Sequence, residues 1–218
     1  MKKLLNITFL GLCFWQLNTF QPQTVVLDNF DKAPTNVGKK YSHFAGTQSG
    51  YDLYYEKAGV QLSFVKTSAR DSSHKALRMA FDLPPALYWG NWLSIRRGFQ
   101  PPKNLANFKG LLLNLRVEVP TPDALLRITL ADLADGMGDR DELWWFDCDK
   151  SLLKRQTSQW IQLRIPFADF SPAYGIGTRF NDGKKNLKKI VAYEISLISD
   201  AGKHAQGVIL LDSLRAYK

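Results

Sequence analysis

Five acids crowd together ahead of a tryptophan pair in one short stretch of this 218-residue chain, LLRITLADLADGMGDRDELWWFDCD from Leu125 to Asp149. They are Asp132, Asp135, Asp139, Asp141 and Glu142, placed just ahead of Trp144 and Trp145. Carboxylates offer acceptors to hydroxyl groups or ligands to a metal, and flat indole rings offer apolar surface. A surface that recognises sugars needs both. The same residues also suit a solvated hairpin whose tryptophans belong to the core. A glycosidase would draw two carboxylates from Asp132, Asp139, Asp141 and Glu142, set apart across a cleft. Acids packed into one turn more often meet water or metal than form such a pair.

Other chemistries find little support. The histidines, His43, His74 and His204, fall in loop-like segments, and no G-x-S-x-G elbow occurs. No H-E-x-x-H, C-x-x-C or P-loop is present. Cys148 lies in a strand pattern and reads as a buried thiol. The chain therefore reads as a non-enzymatic binding protein.

The elements that must position these residues alternate with period two, the mark of half-buried strands. Strands are predicted over Val25–Phe30, Val60–Lys66, Ala76–Leu83, Tyr88–Arg96, Phe108–Val119, Leu125–Ala131, Leu143–Cys148, Trp160–Phe167, Ile190–Ser199 and Val208–Ala216. Gly98 and Pro101-Pro102 are expected to stop the fourth, and residues between Phe30 and Tyr51 to form a long loop. Many short alternating strands with Gly, Pro, Asn and Asp turns predict an all-β fold, an antiparallel β-sandwich or jelly roll. Neighbours along a strand face opposite sides, so one of Trp144 and Trp145 should enter the core, with Trp145 favoured outward. Tyr88 and Trp89 should split in the same way, Gly90 leaving room beside them. Arg127, Thr129, Asn114 and Arg116 are expected outward on hairpin neighbours, with Glu194 joining that face. Asp28 and Asp212, in the first and last strands, suit either a structural calcium ion or turn capping.

The chain carries 29 Lys and Arg against 20 Asp and Glu, a net charge of +9. The excess is spread over Arg96-Arg97, Lys184-Lys185 and Lys188-Lys189, without the interleaved aromatics of a nucleic-acid surface. NDGKKNLKK reads as a solvated loop, and a weak affinity for acidic polysaccharides stays open. Lys2 and Lys3, then the apolar Leu4–Leu17, have the layout of a secretory signal or N-terminal anchor. The expected organisation is an export segment over residues 1–20 and one sandwich over 25–218, in a secreted, periplasmic or cell-surface protein.

VLDNFD, ALRMAFDL followed by YWGNW, the G-x-G-D loop before ELWWF, WIQLRIPFADF and VILLDSL together resemble the family-eleven carbohydrate-binding modules. They are also similar to the complex I intermediate-associated protein family, which shares the galactose-binding-like jelly roll. The first resemblance implies a non-catalytic module that holds a glycan, of β-glucan type, on its concave sheet. It implies Tyr88 and Asp139 as ligand-binding residues, with Tyr41, Tyr174 and Glu194 beside them. It also supports calcium at Asp28 and Asp212. Ser171-Pro172-Ala173 stands where some members carry an arginine-rich stretch. The second resemblance implies instead a protein–protein assembly module with a protein partner.

Overall fold

A computed structural model describes residues 23–37, 51–55, 58–66, 75–87, 90–133, 141–173 and 183–218. Two sheets face each other. The six-stranded sheet contains β1 (Thr24–Asp28), β4 (Gly59–Lys66), β5 (Lys75–Leu83), β7 (Gly110–Val119), β10 (Ile161–Pro166) and β13 (Ala205–Tyr217). Its order is β10-β7-β13-β5-β4, with β1 also on β13. The seven-stranded sheet contains β2 (Asn36–Val37), β3 (Tyr51–Tyr55), β6 (Trp92–Lys103), β8 (Ala124–Leu133), β9 (Asp141–Asp147), β11 (Ser171–Pro172) and β12 (Ile190–Ser199). Its order is β11-β9-β8-β12-β6-β3-β2. Every strand pair is antiparallel except β2 with β3. This is the expected all-β jelly-roll sandwich.

The core lies between the sheets because each strand turns alternate apolar residues inward. Leu111, Leu113, Leu115 and Val117 of β7 meet Leu126, Ile128 and Leu130 of β8 and Ile195 and Leu197 of β12 in one cluster. Removing such side chains from water, at about 25 cal/mol per Å², is the main force that closes the two layers.

Three departures from the sequence reading have physical causes. β6 runs on past Gly98 through Pro101 and Pro102 to Lys103. Between the pairs Ala192↔Gly98 and Ile190↔Lys103 the register with β12 shifts, so these prolines fall where no ladder partner is needed. Tyr51–Tyr55, just past the expected loop and given no element from sequence, forms a strand anchored by the fully buried Leu53. The hairpin expected between β7 and β8 is a crossover between sheets, with the Thr121 N–H donating to Leu153 O across it. Asn114 and Arg116 therefore lie on the opposite side of the sandwich from Arg127 and Thr129.

Candidate ligand-binding face

The outer face of the seven-stranded sheet gathers polar side chains in two adjacent rows. Register places Trp145 beside Thr129, Thr129 beside Glu194, and Glu194 beside Arg96. The next row runs Asp147, Arg127, Ser196, Ser94. Their neighbours in sequence, Trp144, Ile128, Ile195 and Ile95, all enter the core, so strand parity alone sends the polar set outward. Four residues singled out from sequence, Trp145, Arg127, Thr129 and Glu194, thus share one surface. Trp145 and Glu194 stand two strand spacings apart, about 10 Å.

Trp144 is 2% exposed and belongs to the core, while Trp145 is half-buried on the outer face. The Arg127 guanidinium lies 4.1 Å from the Trp145 ring centroid, a stacking distance. Asp147 fixes that guanidinium with two contacts, 2.5 Å from Nε and 2.9 Å from Nη2. Fork geometry of this kind holds orientation as well as charge. Glu194 is only 8% exposed and its Oε1 accepts from Ser196 Oγ at 3.1 Å. Ser196 has one proton to give, so the 2.7 Å contact with Ser94 Oγ must be donated by Ser94. A chain of two hydroxyls therefore aims the Glu194 carboxylate. Arg96, Thr129, Ala131, Leu143, Ala192 and Glu194 also line a shallow depression that encloses no ligand-sized space.

Sequence reasoning missed Arg96, Ser94, Ser196 and Asp147. Each occupies the outward parity of its strand, so alternation marked them, but only the β6–β12–β8–β9 order shows that they adjoin. Tyr88, Asp139, Tyr41 and Tyr174 lie outside the described residues, as do Asp135 and the export segment.

Two acids of the expected cluster have other roles. Asp132 is fully buried on the inner side, where Oδ1 accepts from Trp144 Nε1 at 3.1 Å and Oδ2 from the Asn186 N–H. Its β9 partner Glu142 is also buried. Both point away from the polar rows. Nearby, Lys185 departs from the solvated reading of its run. Its Nζ donates to Phe167 O and to Phe170 O, the latter at 2.6 Å, and lies 5.2 Å from the Trp144 ring centroid. Burial pulls its pKa below the ordinary lysine value, against the pull of Asp169 and Asp132.

The two expected calcium ligands are placed apart. Asp28 Oδ1 takes the Phe30 N–H at 2.8 Å and Arg97 Nη1 at 2.8 Å, and Oδ2 takes the Tyr193 hydroxyl. Asp212 sits opposite Asn114 on the outer face of the six-stranded sheet. A guanidinium already supplies Asp28 with positive charge, and an amide and a phenol present protons where calcium needs further oxygen lone pairs. That donor set does not fit a calcium ion. Among the described residues no group of three or more His, Cys, Asp or Glu is placed to hold a metal.

Cys148 is buried, and burial first, then the charge of Asp147, pushes its thiol up to about 12. At pH 8 only about one molecule in ten thousand would carry the reactive thiolate. Iodoacetamide at that pH is expected to leave Cys148 unmodified in the folded protein and to alkylate it after unfolding, as read by peptide mass mapping. Rapid labelling in the native state would contradict the burial.

The architecture is that of the carbohydrate-binding modules built from two antiparallel sheets. The family 11 carbohydrate-binding module of the cellulosomal cellulase Lic26A-Cel5E of Clostridium thermocellum superposes with a TM-score of 0.58 at 15% identity, over 90% of this chain and 95% of that one. A family 11 module from Clostridium thermocellum in complex with a β-1,3-1,4-mixed-linked tetrasaccharide gives 0.55 at 16% identity, over 82% and 94%. A family 30 carbohydrate-binding module gives 0.51 at 10% identity, over 90% and 99%. At these identities the likeness is one of fold. No protein-family model matches the sequence, and no curated protein matches it.

Proposed function

We propose that the chain is an exported, non-catalytic module that binds a polysaccharide or oligosaccharide of β-glucan type across the outer face of the seven-stranded sheet. The observation that carries this is the row Trp145–Thr129–Glu194–Arg96, with the Arg127 guanidinium stacked on its ring. It combines the part of the Trp145 ring that Arg127 leaves uncovered with donors and acceptors whose positions the sheet fixes. Arg127 commits Nε and Nη2 to Asp147, which leaves Nη1 for a sugar hydroxyl. Glu194, aimed by the two serines, accepts from another. The sandwich fold shared with sugar-binding modules supports the same reading.

Each contact of this kind is weak in water. The expected affinity is micromolar or weaker, about −8 kcal/mol at best. A glycan array followed by calorimetry on the purified chain tests it. Trp145→Ala and Glu194→Gln should each weaken binding at least about tenfold, the loss of some 1.4 kcal/mol. Absence of binding to any plant, algal or bacterial glycan, or binding indifferent to both substitutions, would overturn the proposal.

A further inference from the structure

The opposite side of the sandwich carries a different surface. On the outer face of the six-stranded sheet, Arg164 of β10 and Arg215 of β13 flank Leu112 of β7 in one row. Their Cα atoms stand two strand spacings apart, about 10 Å. Both side chains are exposed. Each guanidinium is held by a neutral group: Arg164 lies 4.3 Å from the ring centroid of the buried Tyr217, and Arg215 Nε donates to Ser213 Oγ. Neither forms an ion pair among the described residues.

Further along the same face, Arg78 and Arg116 share one carboxylate. Glu118 Oε2 lies 2.7 Å from Arg78 Nε, and Oε1 lies 2.9 Å from Arg116 Nη2. Burial raises the Glu118 pKa, but the hydrogen bonds and charges of the two arginines outweigh it and hold it below the usual value. Glu118 therefore stays ionised, and the trio keeps one positive charge. Asp212 sits between the two groups and offsets one charge. Asp82 of β5 has the same outward parity and is met by His204, so four arginines against Glu118, Asp212 and Asp82 leave this face a small positive excess, concentrated at Arg164 and Arg215.

We propose that this face is a second binding surface, selective for a linear acidic polysaccharide whose uronate carboxylates pair with Arg164 and Arg215. The Arg215 guanidinium, held through Nε, and the Arg164 guanidinium, held against the Tyr217 ring, each keep N–H groups in the fork that a carboxylate accepts. Two arginines whose Cα atoms stand about 10 Å apart can each take a separate carboxylate of one extended chain, which a single small anion could not bridge. The ring beneath Arg164 is buried, but the half-buried Trp160 lies against Arg116 on the same face, so a single-stranded nucleic acid is the competing occupant that the test must separate. The proposal does not depend on the Trp145 face.

Affinity electrophoresis through gels containing polygalacturonate tests it, with neutral dextran gels as the blank. The wild-type chain should be retarded by polygalacturonate and not by dextran. The double variant Arg164→Gln/Arg215→Gln should lose about fivefold in apparent affinity, two exposed charge pairs at ordinary strength. Trp145→Ala should be retarded as the wild type is. Raising ionic strength about tenfold shortens the screening length about threefold and should abolish retardation. Both arginines are exposed, so the variants should keep the wild-type urea midpoint. Equal retardation of wild type and double variant, or no retardation at all, would overturn the proposal. So would displacement of polygalacturonate by single-stranded DNA at equal charge, since the surface would then belong to a nucleic acid.

Discussion

Asp28→Ala is expected to lower the unfolding free energy by about 3 kcal/mol, because it orphans buried donors on two different elements. Asp28 is 2% exposed and satisfies the Phe30 N–H, Arg97 Nη1 and the Tyr193 hydroxyl at once. Tyr193 is fully buried, and water cannot replace the lost acceptor there. Phe30 holds a positive φ of 54°, a turn that the Asp28 side chain braces through the Phe30 N–H. The Arg97 side chain is 35% exposed and regains solvent, so the full cost of stranding a buried charge does not apply. Two orphaned neutral donors at about 1–3 kcal/mol each set the estimate. Tyr193→Phe removes one donor and leaves Asp28 paired, so its cost should be about 1 kcal/mol. Urea unfolding of the three proteins gives the comparison. Equal midpoints for the two variants would mean that Asp28 is not the hub. A chelator should leave the wild-type midpoint unchanged, because the charge facing Asp28 is Arg97.

That cluster also shows where reading the chain reaches its limit. Alternation placed Leu111, Leu113, Leu115 and Val117 on one face, and all four are core residues. It split Trp144 from Trp145 for the same reason, since a strand has no other way to place neighbours. Parity says which side a residue faces but not which sheet carries the strand. Asn114 and Arg116 have the same outward parity as Arg127 and Thr129, yet they lie on the other layer because β7 pairs with β10 and β13. Asp132 reads as one more acid before a turn, and only the long-range contact with Asn186 shows it to be an interior tie. For Asp28 the sequence leaves calcium and turn capping open; the Phe30 N–H shows the capping, while Arg97 and Tyr193, 69 and 165 residues away in the chain, are out of its reach. The polar rows are legible as residue types and illegible as neighbours. Glu194 meets Arg96 and Thr129 only through the pairing of β12 with β6 and β8.

Gly90→Ala is expected to cost more than 3 kcal/mol, the larger of the two effects, although it adds a single methyl group. Sequence suggested that Gly90 makes room for the aromatic rings beside it; the close neighbour is backbone. A Cβ at this position would lie 1.9 Å from Ser199 O and 2.9 Å from Ser199 C. Neither atom can move freely. Ser199 N–H donates to Asn91 O at 2.8 Å, and Ser199 Oγ accepts from the Asn91 N–H at 2.8 Å. Asn91 in turn caps the first residue of β6 through Oδ1 and reaches Pro84 O through Nδ2. This clamp joins the start of β6 to the end of β12, at the edge of the proposed glycan face where Trp92 pairs with Ile198. Gly90 also has a φ of +73°, which costs an alanine about 1 kcal/mol by itself. Gly202 separates the two contributions: its φ is +71°, and a Cβ there would meet nothing within 4 Å. Gly202→Ala should therefore show the backbone strain alone, about 1 kcal/mol. At roughly 2–4 °C per kcal/mol for a chain of this size, thermal unfolding should place Gly90→Ala about 10 °C below the wild type and Gly202→Ala only a few degrees below it. Equal shifts for the two variants would mean that left-handed backbone, and not the approach of Ser199, is what requires glycine at position 90.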